Sequence, residues 1–461
     1  MAGRRRVSRR EFITSVGAGT AAFVGGAAYG QRAAAQAGKP NIVVIVSDDH
    51  GYADVSCYAH ADAVTPGIDR LAAEGVRLTN GYVSCPVCSP TRAGLMTGRY
   101  QQRFGYYANP AASVRGLPLE ELTLADLLKR AGYATGAVGK WHLGMTPQCH
   151  PMKRGFDEFY GFLSGSHDYF DLASKGNNPI YRGLEPIEET GYLTELFTRE
   201  ALGFIERHRR EPFFLYLAYN AVHAPVQAPE SYLARVKSDD PKRRTYLAML
   251  TCMDDGIGQV LAKLKEVGVD RNTLLIFHSD NGGPLSNGSL NTPLRGRKQQ
   301  VWEGGVRVPF IVRWPARLPA GRECHEPIIA LDILPTCVAA AGGTLPEARV
   351  YDGKDMMPAL LGRNKQPLYE ALYWSFLEDE RGEQYAVRRG EWKLVREEGE
   401  LHLSNLAKDI GEATNLIAEK PQVAKELQEM YAAWRGQMQE SWAPRLLMGA
   451  FGRQRQQRGE K

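Results

Sequence analysis

The chain has 461 residues, 43% of them hydrophobic and 24% charged, an ordinary globular composition and enough length for one large α/β domain with a smaller companion. Its formal net charge of +5 does not indicate a nucleic-acid or membrane-surface binder. The first 37 residues hold six arginines and one glutamate, and the remainder balances 51 basic against 51 acidic side chains.

Near its start the chain carries Ser8-Arg9-Arg10-Glu11-Phe12-Ile13, a twin-arginine pattern. A Gly/Ala-rich, weakly apolar run follows, then Ala35-Gln36-Ala37, a cleavage site before Gly38. Residues 1–37 therefore read as a twin-arginine signal peptide. They predict a bacterial protein exported folded by the Tat machinery to the periplasm or beyond, with no stable membrane span after processing.

Residues 41–46 form a continuous β-branched apolar run, the pattern of a buried strand in a parallel sheet. It runs into Ser47-Asp48-Asp49-His50-Gly51. Adjacent carboxylates at a strand end repel unless positive charge lies between them, and a hard divalent cation with oxygen ligands suits that place. Next comes Val87-Cys88-Ser89-Pro90-Thr91-Arg92. Proline suits the first helical position, so Cys88 is expected at a helix N-terminus, where free N–H groups favour an anion. Arg92, one turn on, can fold back toward Cys88, which makes position 88 a candidate nucleophile for an anionic substrate.

An amphipathic helix is predicted over 122–131, stopped by Gly132. A strand over 133–138 then delivers Gly139-Lys140-Trp141-His142, and the polar cluster Ser166-His167-Asp168-Tyr169 lies beyond. A strand over 212–219 leads to Asn220 and His223, a long helix covers 243–267, and a strand over 273–278 ends in Asp280-Asn281. Lys298 stands in a basic loop before a further strand at 308–314. Alternating helices and strands argue for a mostly parallel sheet whose site lies beyond the carboxyl ends of its strands. Four strands bring Asp48/Asp49, Lys140/His142, His223 and Asp280/Asn281 to that edge.

From residue 368 the pattern changes to short antiparallel strands at 371–375, 384–388, 392–396 and 401–403, with turns at Arg389-Gly390 and Glu398-Gly399. A helix carrying Val423, Leu427, Met430, Tyr431 and Trp434 would cover them. The expected organisation is a catalytic domain over 38–365, a C-terminal α+β subdomain over 366–452 without chemistry of its own, and a disordered tail over 453–461. Cys85 and Cys88 have redox or zinc-motif spacing, but no second such pair accompanies them.

The run Cys88-Ser89-Pro90-Thr91-Arg92-Ala93-Gly94-Leu95-Met96-Thr97-Gly98-Arg99 resembles the signature of the type I sulfatases, of the arylsulfatase and N-acetylgalactosamine sulfatase kind. Segments 41–52, 65–83, 139–144, 154–161, 212–225, 279–283 and 294–309 resemble that family in the same order. The resemblance implies an alkaline phosphatase-like fold, a large mostly parallel mixed sheet sandwiched by helices, with a smaller antiparallel sheet plus helix at the C-terminus. It implies hydrolysis of sulfate esters, on a sulfated carbohydrate or aryl sulfate. It also implies oxidation of Cys88 to formylglycine (3-oxoalanine) by a maturing enzyme.

In that reading one Ca2+ is held by Asp48, Asp49, residue 88, Asp280 and Asn281, and Lys140, His142, His223 and Lys298 surround the sulfate. Arg92 anchors residue 88. The aldehyde hydrate attacks sulfur, Lys140 and Lys298 stabilise charge, His223 serves as general acid and His142 as base. His167, Asp168 and Asn220 are candidate sugar contacts. The chain departs from the family in Gly51-Tyr52-Ala53-Asp54, where relatives often have Gly-Tyr-Gly-Asp, in His50, and in Cys85 so near Cys88. With Cys88 converted, six cysteines remain, and an oxidising compartment permits disulfides among them. Two alternatives are a phosphonate monoester or phosphodiester hydrolase of the same superfamily and a non-catalytic glycan-binding protein with unmodified Cys88.

Overall fold

A computed structural model describes residues 38–58, 62–109, 115–173, 178–376 and 382–441. The expected signal peptide and the terminal tail lie outside these residues. The centre of the molecule is a ten-stranded mixed sheet. Its middle is four parallel strands: β1 (Asn41–Ser47), β2 (Ala134–Lys140), β3 (Phe213–Ala218) and β4 (Thr273–Ser279), side by side in the order β4–β1–β3–β2. β1 is buried along its whole length because both sheet faces are covered. Ile42, Val44 and Val46 enter one core and Val43 and Ile45 the other, as the two-residue strand period requires.

Register levels the ends of these strands. Val46 pairs with Ala218, Ser47 with Ser279, and Gly139 with Ala218. The residues that follow therefore leave the sheet at one edge. Gly139 has φ 111°, and a Cβ there would sit 1.9 Å from the Ala218 carbonyl oxygen, so only glycine allows β2 to approach β3 this closely. Outside β4 the sheet becomes mixed: β5 (Phe310–Arg313) runs antiparallel to it.

Helices α1 (Cys88–Thr97) and α2 (Leu124–Arg130) pack on one face, and α3 (Leu193–His208) and α4 (Pro241–Glu266) on the other. α2 starts at a reciprocal capping box of Thr123 and Asp126, and α4 at Asp240, whose side chain accepts from Lys242 N–H.

The C-terminal part is a separate antiparallel sheet, β6 (Leu372–Phe376), β7 (Gln384–Arg389), β8 (Trp392–Glu397) and β9 (Glu400–Asn405), in sequential order. The last hairpin turns at Glu398-Gly399, φ 51° and 86°, as its two-residue loop demands. The preceding turn is Gly390-Glu391, one residue later than expected, because Arg389 still pairs with Trp392. Helix α5 (Pro421–Arg435) covers this sheet and stacks Tyr431 on Tyr385, ring centroids 3.9 Å apart. Trp374, Val387 and Leu427 share a hydrophobic core with Ile42 and Phe214 of the large sheet. All seven cysteines are free thiols. No helix among the described residues is long and apolar enough to cross a membrane.

Candidate active site

The four parallel strands deliver their terminal side chains to one buried cluster. Asp48 and Asp49 follow β1, and successive residues of an extended strand would point to opposite faces. Asp49 breaks that alternation by adopting φ 60°, a left-handed conformation that Asp tolerates better than most residues, and both carboxylates reach the same place. Asp48 Oδ2 accepts from Lys140 Nζ at 2.5 Å, and Asp49 Oδ1 accepts from Lys298 Nζ at 2.6 Å and from Asn281 Nδ2 at 2.8 Å. The Asp49 N–H donates to Asp280 Oδ1 at 3.3 Å. One donor atom each from Asp48, Asp49, Cys88 and His223 lie within 4.8 Å of one another.

Two features of the cluster fit a cation. Asp48 Oδ1 and Asn281 Oδ1 are buried acceptors with no hydrogen-bond partner among the described residues. Negative charge is also crowded. Burial raises the Asp48 carboxyl despite Lys140 and His223, and burial with Asp48 beside it pushes Asp280 up to about 6 in spite of Arg92. Asp49 alone is held well below the usual range: burial works against its ionisation, but Lys298 and His223 outweigh it. An oxygen-rich set of this kind suits calcium, and a bound divalent ion would reverse the crowding.

Cys88 is the first residue of α1, two residues earlier than expected; Pro90 falls at the third helical position, where its missing N–H is still harmless. Lys298 Nζ lies 3.3 Å from Cys88 Sγ. Burial raises the thiol pKa, but Lys140 and Lys298 overcome it and bring it to about 6. Arg92 does not bond to Cys88. Its Nε and Nη2 donate to Asp280 Oδ2 at 3.0 and 2.8 Å, and Nη1 to the Lys140 carbonyl at 3.1 Å. The guanidinium ties β4 to β2 beneath the cluster, two of its N–H groups converging on one charged Asp280 oxygen, a stronger contact than one to sulfur.

The two histidines are driven in opposite directions. His142, in the left-handed region at φ 58°, is held far below its ordinary pKa by burial and then by Lys140 and Arg92. Its Nδ1 has no partner among the described residues. His223 is raised: burial opposes its charge, but Asp49 and Asp48 prevail. His223 Nδ1 lies 2.6 Å from the Ala224 carbonyl, which leaves Nε2 facing Asp49 Oδ2 at 3.6 Å.

The three candidate sugar contacts separate. His167 has Nδ1 at 2.7 Å from the Asp168 carbonyl and Nε2 at 3.1 Å from that of Asn178, so a sugar contact would require that pairing to open. Asp168 receives the Phe170 and Asp171 N–H groups at 2.8 Å and Gln227 Nε2 at 2.9 Å, and thereby shapes its own loop. Asn220 is buried with both side-chain amide atoms lacking a partner among the described residues. Supporting residues went unread in the sequence. Ser89 Oγ donates to the His142 carbonyl at 2.7 Å, and the Tyr169 hydroxyl lies 2.6 Å from the Asn220 carbonyl and 2.9 Å from that of His223. Ser89 stands inside the recognised motif and Tyr169 inside the polar cluster at 166–169, but nothing in the pattern gives either of them this supporting role.

Comparison with known proteins agrees with this arrangement. The Sulfatase family matches residues 40–343, and the family described as N-sulphoglucosamine sulphohydrolase, C-terminal matches residues 297–438. The N-acetylgalactosamine-6-sulfatase of Canis lupus familiaris is 39% identical over 362 residues, 73% of this chain and 68% of that one. Arylsulfatase A of Homo sapiens is 36% identical over 386 residues, 77% of this chain and 74% of that one. The crystal structure of Ps i-CgsB in complex with k-i-k-neocarrahexaose superposes with a TM-score of 0.84 at 37% identity, covering 88% of this chain and 94% of that one.

Proposed function

The chain belongs to the type I sulfatase family, enzymes that hydrolyse sulfuric esters, and from that premise we propose that it removes sulfate from a sulfated carbohydrate by way of a formylglycine made from Cys88. The observation that supports this reading is the convergence of Asp48 and Asp49 on residue 88, with Asp280 against the Asp49 N–H and Asp48 Oδ1 and Asn281 Oδ1 left as acceptors without a partner among the described residues. A calcium ion held there by Asp48, Asp49, Asp280, Asn281 and residue 88 would supply Lewis acidity. The modified residue would supply, as its hydrate, the oxygen nucleophile that attacks sulfur.

The remaining chemistry belongs to the chain itself. Lys140 and Lys298 bind the sulfate oxygens and offset the charge that develops on them. The first α1 N–H groups and the helix dipole favour an anion at the same point. His223, with Nδ1 against a carbonyl and its pKa raised, keeps a proton at Nε2 for the departing alcohol. His142, held neutral at ordinary pH, is the base that takes a proton from residue 88 when sulfate leaves. Arg92 holds Asp280 and the end of β2 in place. Relatives named as N-acetylgalactosamine-6-sulfatases, and a structural neighbour solved with a neocarrahexaose, support a sugar as the substrate. The twin-arginine leader supports export to the periplasm.

Matured protein assayed with calcium against sulfated mono- and disaccharides, aryl sulfates and aryl phosphonates tests the reading. The highest kcat/KM is expected on a sulfated sugar. Highest efficiency on the phosphonates would replace this reading with that of a phosphonate monoester hydrolase, and no turnover of any ester would favour a glycan-binding protein.

A further inference from the structure

Lys298 stands on residues 294–302, a stretch with neither helix nor strand. A long side chain on such a stretch reaches one place reproducibly only if the backbone beneath it is fixed from outside. Part of that fixing is local. Gly304 N–H donates to the Arg295 carbonyl at 2.7 Å, and Gln299 N–H donates to the Pro86 carbonyl at 2.9 Å, beside Cys88.

The rest comes from the C-terminal sheet. Gln384, at the start of β7, accepts from Val301 N–H at 2.7 Å. Glu397, at the end of β8, accepts from Gln300 Nε2 at 3.0 Å and from the Trp302 indole N–H. Glu412 accepts from Glu303 N–H at 2.7 Å, and its carbonyl accepts from Arg295 Nη1 at 2.9 Å. The Arg295 guanidinium lies 3.7 Å over the Trp302 ring, and His402 of β9 meets that ring edge-on. The flanks of Lys298 are thus held on both sides by the C-terminal sheet and the loop after it, none of whose described residues belongs to the cluster itself.

We propose that Glu397, with Gln384 and Glu412, is a positioning residue that sets Lys298 against Asp49 and residue 88, so that the C-terminal sheet acts on the reaction through this loop. The inference rests on Lys298 as a sulfate-binding side chain, the role assigned to it above. A shift of the loop moves Lys298 Nζ away from the sulfate without altering Lys140, and displacements of about 1 Å cost as much as about a hundredfold in rate.

A double-mutant cycle on the full-length matured protein tests this. Glu397→Ala, Glu397→Gln and Gln384→Ala are made in the wild-type and Lys298→Ala backgrounds. kcat and KM for an aryl sulfate are measured, with binding of inorganic sulfate by calorimetry and thermal unfolding for each variant. Glu397→Ala is expected to lower kcat/KM between about tenfold and a hundredfold and to weaken sulfate binding in the wild-type background. In the Lys298→Ala background the further loss should be under about twofold, because the residue being positioned is gone. Glu397→Gln, which keeps one acceptor, should recover most of the loss, and Gln384→Ala should repeat the pattern more weakly if Glu397→Ala fails to fold. Equal losses in both backgrounds, or none in either, overturn the proposal. Unchanged sulfate binding and turnover in Lys298→Ala alone would instead overturn the role of the lysine, a result distinguishable from failure of the positioning.

Discussion

Two clusters of buried charge lie on either side of the Lys298 segment. At the edge of the large sheet Asp48, Asp49 and Asp280 face Lys140, Lys298 and Arg92. Against the small sheet, Glu303 and Glu412 share Lys393, Nζ to carboxylate 2.7 and 3.4 Å, while Glu303 also accepts from Tyr82 and Arg307 and Glu412 from Glu303 N–H. Both are largely buried and both mix signs. In the second cluster only Glu412 Oε1 lacks a hydrogen bond among the described residues, and the Lys393 ammonium stands 3.4 Å from it. In the first, Asp48 Oδ1 and Asn281 Oδ1 have neither a hydrogen bond nor an ion pair among the described residues, and two of three carboxyls are pushed upward, against Glu412 alone in the second. Closed pairing is what architecture requires, since a broken buried pair is costly. Pairing left open marks the place where something else completes the site.

The comparison breaks most sharply at position 88. Cys88→Ala should cost at least about 10⁴-fold in kcat/KM, about 5.5 kcal/mol of barrier, with little change in unfolding temperature. A large loss of stability without loss of turnover would place Cys88 with the structural cluster. His223→Ala should cost about 10² to 10⁴-fold and change the pH profile. In the wild type the alkaline limb of kcat/KM should report His223, which must be protonated; Asp49 and Asp48 raise its pKa above the ordinary imidazole value of about 6.5, and calcium on those carboxylates should lower it again. The acid limb should lie well below that value, because His142 must be neutral and its pKa is lowered. The variant should lose the alkaline limb only.

On the structural side, Lys393→Met leaves Glu303 and Glu412 without their shared cation. It should cost about 3 to 5 kcal/mol in denaturant unfolding. Smaller is the effect of calcium on stability: at a hundred times its Kd the ion should add about 2.7 kcal/mol to the native state, measured as a rise in unfolding temperature that chelator reverses. Asp48→Asn should lose that rise and Glu412→Gln should keep it. The opposite pattern would assign the ion to the wrong cluster.

The open cluster was legible in the sequence because its residues follow apolar runs. Residues 41–46 and 273–278 mark strands by composition alone, and Asp48, Asp49, Asp280 and Asn281 inherit their position from them. Lys298 has no such marker, and only the family likeness singled it out. The partner of Arg92 was misread because a contact across 188 residues, to Asp280, competes with one four residues away and wins on geometry. The closed cluster was invisible: nothing local to Lys393 or Glu412 says that both meet Glu303, 90 and 109 residues away, in a buried group. Register is a second case. The sequence pattern predicted the strand ends, but their common level depends on pairings such as Ser47 with Ser279, which only the folded sheet decides.

Anomalous difference density from crystals of the matured protein grown with calcium tests the central claim most directly. The account predicts one strong peak at about 2.3–2.6 Å from Asp48 Oδ1, Asn281 Oδ1 and the oxygen of residue 88. A fully active crystal with no peak there, or with its peak at Glu303 and Glu412, would contradict it.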